Sequence, residues 1–165
     1  MAKFIVGVMG AGEGATEQAT KFAQVLGKLI AANGWIVLSG GRNCGVMQAV
    51  NQGAKQVPHS LTIGILPSSK SIPSPDIDIV IVTDLHNARN NINVLSSNVV
   101  VACGEGGAGT ASEIALAIKA QKPVILLGAE PETQHYFQKL GGSLIQIAHS
   151  PEQVIAQIKC LLPDH

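Results

Sequence analysis

Charge is scarce in this chain. Lysine and arginine number 11, aspartate and glutamate 11, and only 13% of the 165 residues are charged, for a formal net charge of zero. That balance argues against nucleic acid as the main partner, since no basic field would attract a polyanion. The same neutrality gives little repulsion between copies and is compatible with a stable oligomer. Aromatic residues are only 3%, which leaves packing to Val, Ile, Leu and Ala. The three cysteines, Cys44, Cys103 and Cys160, are odd in number and irregular in spacing. They form no disulfide framework, and each reads first as a small buried filler, although Cys44 could also serve as a soft ligand or thiol donor. A reducing cytoplasm suits them. No apolar run approaches the ~20 residues that cross a bilayer. The opening run Phe4 to Met9 is too short and too glycine-interrupted for a signal peptide. His59, His86, His135, His149 and His165 lack metal-ligand spacing. No serine or cysteine sits in a nucleophile elbow. Neither a bound metal nor a catalytic triad is expected.

What the chain has is glycine, 18 residues of it, and a hydrophobic share of 46%. Short apolar runs alternate with stretches of helical periodicity. Strands are predicted at 4–9, 35–39, 61–66, 77–82, 98–103, 124–127 and 144–147. Helices are predicted at 16–33, 45–56, 87–96, 110–120, 133–140 and 151–162. The strands read as continuous rather than alternating apolar runs, the pattern of parallel strands buried on both faces by helices. The expected architecture is one α/β domain over 1–165: a three-layer Rossmann-like sandwich with a mainly parallel sheet of about seven strands. The Pro- and Ser-rich segment 67–75 reads as a surface crossover, with a lid as the alternative.

In such sheets the ligand lies beyond the carboxyl ends of the strands, and the glycine-rich turns all follow strand ends. The strongest is Gly104-Glu105-Gly106-Gly107-Ala108-Gly109-Thr110-Ala111-Ser112-Glu113. A strand precedes it and a helix follows, so several N–H groups and the positive end of the helix dipole face one way. Thr110 can cap that helix or donate its hydroxyl, and Glu113 falls on its first turn. The turn Gly10-Ala11-Gly12-Glu13-Gly14 departs from the dinucleotide fingerprint, because its third glycine comes early. No acidic residue ends the second strand, so an NAD site is disfavoured. The turn Gly40-Gly41-Arg42-Asn43-Cys44 offers exposed amides and a bidentate cation in Arg42. Asn87-Ala88-Arg89-Asn90-Asn91-Ile92-Asn93 opens a helix with amides and one arginine, and Arg89 is the second candidate contact for an anion.

These residues resemble a known superfamily. Gly106-Gly107-Ala108-Gly109-Thr110-Ala111-Ser112-Glu113 is similar to the P-G-G-x-G-T-x-x-E motif of the "Lonely Guy" phosphoribohydrolases, long mislabelled lysine decarboxylases. Gly40 to Met47 resembles that superfamily's G-G-G-x-x-G-L-M segment, and Arg89 stands at its catalytic arginine. The motif's proline is Glu105 here, which is expected to put an extra carboxylate at the rim. The third glycine of the second segment is Arg42. Over nearly its whole length the chain is closer to the compact branch that includes the molybdenum cofactor carrier proteins of algae and cyanobacteria.

The resemblance implies a carrier or storage protein for molybdenum cofactor, a phosphate-bearing pterin dithiolene. The binding set would be Gly10, Gly12, Gly40, Gly41, Arg42, Arg89, Gly106, Gly107, Gly109, Thr110 and Glu113. Molybdenum enzymes or cofactor-biosynthesis proteins would be its partners, and a homodimer or homotetramer formed through the helices at 87–96 and 110–120 its assembly. The alternative is an enzyme that cleaves nucleoside 5′-monophosphates to free base and ribose 5-phosphate, with Arg89 and Glu113 as catalytic residues. A nucleotide sensor without turnover is a third reading.

Overall fold

The computed structural model describes residues 3–162; His165 lies outside them. Strands β1 (Ile5–Gly10), β2 (Ile36–Ser39), β3 (Thr62–Leu66), β4 (Ile79–Val82), β5 (Val99–Cys103), β6 (Val124–Leu127) and β7 (Ile145–Ala148) alternate with helices except between β3 and β4. The helices are α1 (Glu17–Ala32), α2 (Gly45–Ala54), α3 (Arg89–Ser96), α4 (Ala108–Lys119), α5 (Pro131–Gly141) and α6 (Pro151–Leu161). All six strand pairings are parallel, in the order β4-β3-β2-β1-β5-β6-β7. The expected sandwich is therefore the observed one.

Local chemistry sets the helix ends. Thr16 Oγ1 accepts from the Ala19 N–H at 3.1 Å and caps α1. Asn33 and the left-handed Gly34 (φ +73°) end it. Along α1, Ala19, Ala23, Leu26 and Ile30 are buried at helical spacing. With α2 and α6 they form the core on one side of the sheet. Met9, Val94, Val100, Ala102, Ile114 and Ala117 form the other, under α3, α4 and α5. Cys103 packs into the first core, its thiol donating to the Ala19 carbonyl, and burial pushes its pKa up to about 12. Cys160 departs from expectation. It is exposed, because α6 buries Val154, Ile155 and Ile158 and turns residue 160 away.

A second departure concerns β4. Ile79, Val80, Ile81 and Val82 are 42–50% exposed rather than buried on both faces. The connection from β3 to β4 is the 67–78 loop, not a helix, so no crossover helix of the described residues layers over the edge strand. That loop is stitched to the turn after β2. The Asn43 N–H donates to the Ile72 carbonyl, the Ser74 N–H to the Gly41 carbonyl, and Arg42 bridges Pro73. These bonds fit the crossover reading better than a lid.

Asp78 anchors the same edge. One of its oxygens accepts from Lys55 Nζ (2.5 Å), the Thr62 N–H (2.8 Å) and Thr62 Oγ1 (3.0 Å). Partial burial raises its carboxyl, but the Lys55 and Thr62 bonds together hold it below the ordinary carboxylate range. A depressed folded pKa gives stability that is present above the unfolded value and lost as pH falls through the folded one. Asp78→Asn is expected to cost about 1 kcal/mol at pH 7, a modest figure because the pair is about one-third exposed. In urea titrations the gap from wild type should narrow below about pH 4.

Candidate functional site

The strand order reverses between β1 and β5. At that switch point the turns leaving the two strands must diverge, and a crevice opens between them. A cavity of about 320 Å³ occupies it. The turn after β1 lines it through Gly10, Ala11, Gly12, Glu13 and Gly14. The turn after β2 adds Gly40 and Arg42, and the entry to α3 adds Asn87 and Arg89. The turn after β5 and the first turns of α4 add Gly106, Gly107, Gly109, Thr110 and Glu113. Of the expected binding set only Gly41 stands apart. It turns toward β3, where its Cα packs on Gly64 and Leu66. Val8, Met9, Ala11, Glu13, Gly14, Met47 and Asn87 line the cavity without having been singled out. Ala11, Glu13, Gly14, Met47 and Asn87 lie within motifs already noted, whereas Val8 and Met9 carry no signal apart from core.

Helix α4 starts two residues earlier than expected, at Ala108, with Gly107 as its N-cap and no capping side chain. The N–H groups of Ala108, Gly109 and Thr110 thus have no partner within the helix. Thr110 is not the cap. It lies 3% exposed inside the first turn, where its side chain fills the space a Cβ on Gly106 would need. Gly106 also adopts φ +63°, so only glycine meets both demands without strain. The turn therefore presents main-chain donors and a helix N-terminus with no side chain between them and the cavity.

Glu105 corrects another expectation. It accepts from the Glu130 N–H and from Thr133 Oγ1, so it holds the start of α5 and does not line the cavity. The carboxylate in the cavity is Glu113, 6% exposed. Asn93 Nδ2 donates to its Oε1 at 2.8 Å. Burial pushes its pKa up to about 7, while the Asn93 bond and the Arg89 charge pull the other way.

Arg89 lies across Gly40, with its guanidinium where a Cβ would stand. Its Nε is buried without a hydrogen-bond partner, and it makes no ion pair within 4 Å. Burial lowers its pKa, the Glu113 charge raises it, and Arg42 lowers it. Arg42 itself is paired to Glu13 at 3.3 Å in an exposed bridge. The amides at the α3 entry divide their work. Asn87 lines the cavity, Asn90 Nδ2 donates to Ser112 Oγ at 2.9 Å, and Asn93 orients Glu113. Chemically the arrangement can hold an anion: free amides and an underused guanidinium line the cavity together with one buried carboxyl. Among the described residues no group of three or more His, Cys, Asp or Glu could hold a metal ion. No helix there is long and apolar enough to cross a membrane.

A second, more apolar groove of about 970 Å³ runs between the α3 entry and α4. Ala88, Asn91, Ala115, Leu116 and Lys119 line it, and it meets the cavity at Asn87 and Gly109.

The SLOG cluster4 family model matches residues 3–155. The chain belongs to this family. It is 55% identical to the molybdenum cofactor binding protein of the phototrophic bacterium Rippkaea orientalis, with a TM-score of 0.94 over 99% of both chains. It is 50% identical to the molybdenum cofactor carrier protein of Chlamydomonas reinhardtii, with a TM-score of 0.90 over 96% of this chain and 98% of that one. An uncharacterized protein of Archaeoglobus fulgidus is 43% identical over 122 residues, 74% of this chain and 78% of that protein. The fold is thus shared with these solved structures along essentially the whole described chain.

Proposed function

We propose that this SLOG cluster4 protein binds molybdenum cofactor and carries or stores it for delivery. The observation that supports this most is full-length similarity, at 50% identity or more, to two proteins of that description. The cavity suits the cargo. Amides at Gly106, Gly107 and Gly109, with the α4 N-terminus and Arg89, would take the terminal phosphate. Gly10, Gly12, Gly40, Arg42, Thr110 and Glu113 would close around the rest, with Gly41 shaping the second turn from outside. Among the described residues no cysteine lines the cavity itself, although the half-buried Cys44 stands beside Gly12 and lines the adjoining hollow. The groove beside α3 and α4 is where a second copy would sit, giving a homodimer or homotetramer whose partner helices wall the cavity at Asn87 and Gly109. A reducing cytoplasm and molybdenum enzymes or cofactor-biosynthesis proteins complete the reading.

A second reading keeps a specific observation behind it. Arg89 and Glu113, the residues a hydrolase reading would use, share the cavity, Asn93 hydrogen-bonds Glu113, and Glu105 does not intrude. Such an enzyme would add water across the N-glycosidic bond of a nucleoside 5′-monophosphate and release free base and ribose 5-phosphate. One experiment separates the two. Molybdenum cofactor is titrated anaerobically and its survival in air followed, while AMP and isopentenyladenosine monophosphate are incubated with the protein and assayed for free base. Protection without base release is expected. Base release lost in Glu113→Ala or Arg89→Ala would overturn the carrier reading.

A further inference from the structure

Glu113 is a carboxyl at the floor of a cavity built for an anion, which is the wrong charge for the place. The Asn93 bond goes to its Oε1, and its other oxygen has no hydrogen bond among the described residues. The charged groups sharing the cavity are Arg89, from the entry to α3, and Arg42 and Glu13, from the two turns across the opening. The other elements packed on α4 add none. β1 and β6 carry no ionisable side chain, Cys103 of β5 packs into the opposite core, and Glu132, His135, Tyr136 and Lys139 of α5 do not line the cavity. Lys119, on α4 itself, lies in the neighbouring groove.

With Glu113 ionised the free cavity is therefore balanced: two cations, Arg42 and Arg89, and two carboxylates, Glu13 and Glu113. A doubly negative group bound to the α4 amides breaks that balance. It also draws on Arg89, whose charge favours ionised Glu113. Buried like charges cannot both remain ionised at low cost, and the group that can take up a proton does so. Asn93 supplies the place for that proton. It is fully buried, and its Oδ1 has no partner while its Nδ2 serves the ionised Glu113. A half-turn of the amide brings Oδ1 to the carboxyl, where it accepts a hydrogen bond from protonated Glu113. Asn93 can thus satisfy either form of its neighbour.

We propose that each dianion entering the cavity brings one proton with it, held between Glu113 and Asn93. The proposal rests on the anion-site reading above and adds to it a proton-coupled grip, tight at and below neutrality and loosened in alkaline surroundings. Because Glu113 in the free protein titrates at about 7, the coupling operates around that pH. Below it the proton is already present and affinity is flat. Above it each bound ligand must recruit a proton, so affinity falls about tenfold per pH unit, provided the ligand itself does not titrate.

Two probes test this by NMR: sulfate, a dianion that carries no proton in this range, and AMP, whose phosphate is fully charged above about pH 7. The amide signals of Gly106, Gly107 and Gly109 report binding, and the side-chain carboxyl carbon of Glu113 reports its proton. Supporting results are amide shifts together with a Glu113 midpoint that rises by more than one pH unit at saturation. Amide shifts with an unmoved or lowered midpoint overturn the proton coupling and leave the anion site standing. No amide shift with either probe overturns the anion site and the coupling together. Glu113→Gln, a neutral mimic of the protonated form, should bind AMP about tenfold more tightly than wild type at pH 8 and with no pH dependence above 7. An equal alkaline loss of affinity in both proteins would also overturn the coupling. Proton uptake by the unmutated protein, read by calorimetry in buffers of different ionisation enthalpy, gives the answer even if the variant folds poorly.

Discussion

Gly27→Ala is expected to lower stability by about 3 kcal/mol, and the melting temperature by about 10 °C for a chain of this size. The cause is a close crossing of two helices. A Cβ at Gly27 of α1 would overlap the Val50 carbonyl of α2, and one at Gly53 of α2 would overlap the Gln24 carbonyl of α1. The obstacles are main-chain atoms, so no side chain can rotate out of the way. Two effects compete here. Alanine is the better helix former by about 1 kcal/mol, which alone would raise stability. The overlap must exceed that gain, and with backbone on both sides it does. Calorimetry of Gly27→Ala and Gly53→Ala decides the matter, with Gly109→Ala as the helical control, since its Cβ would meet open space. Unchanged or raised melting temperatures for Gly27→Ala would contradict the close crossing.

This crossing could not be read from the sequence, although the two helices could. Gly27 and Gly53 sit in ordinary amphipathic patterns, and nothing in either helix alone says that its backbone meets the other. The sheet was more legible, because runs such as Val99 to Cys103 owe their composition to burial on both faces. That rule also misplaced β4. Ile79 to Val82 has the same composition, yet the missing crossover helix leaves it bare. Composition records what a strand can bury, not what is built to bury it. The turn at Gly104 to Gly107 was legible because Gly104 and Gly106 adopt left-handed backbone that glycine takes up without strain. The partners of Glu105 and Glu113 were not, since the chain folds Glu130, Thr133 and Asn93 onto them from 20 to 28 residues away.

Arg89→Ala is expected to weaken binding of the cofactor phosphate by about 100-fold while leaving the fold as stable as wild type or more so. The two signs have one origin. In the free protein Arg89 is largely buried, its Nε has no partner, and desolvation opposes its charge. A cation held that way costs stability, and truncation removes the cost. Once a phosphate enters, the same guanidinium gains the charge-assisted bonds it lacked, each worth about 1.5–3 kcal/mol. Arg89→Lys keeps the charge but loses the planar fork, and should fall between wild type and alanine. Gly40→Ala tests position instead of charge. Its methyl group would occupy the place of the guanidinium and crowd the Met47 sulfur, so Arg89 must shift. About a tenfold loss of affinity is expected, with Arg89 still present and charged. Calorimetric titration with molybdenum cofactor under nitrogen, paired with thermal melts of each variant, reads both quantities. If Arg89→Ala bound the cofactor as wild type does, the phosphate would have to lie elsewhere in the cavity. If it instead melted well below wild type, Arg89 would be a structural cation and the antagonism between holding the ligand and holding the fold would not exist.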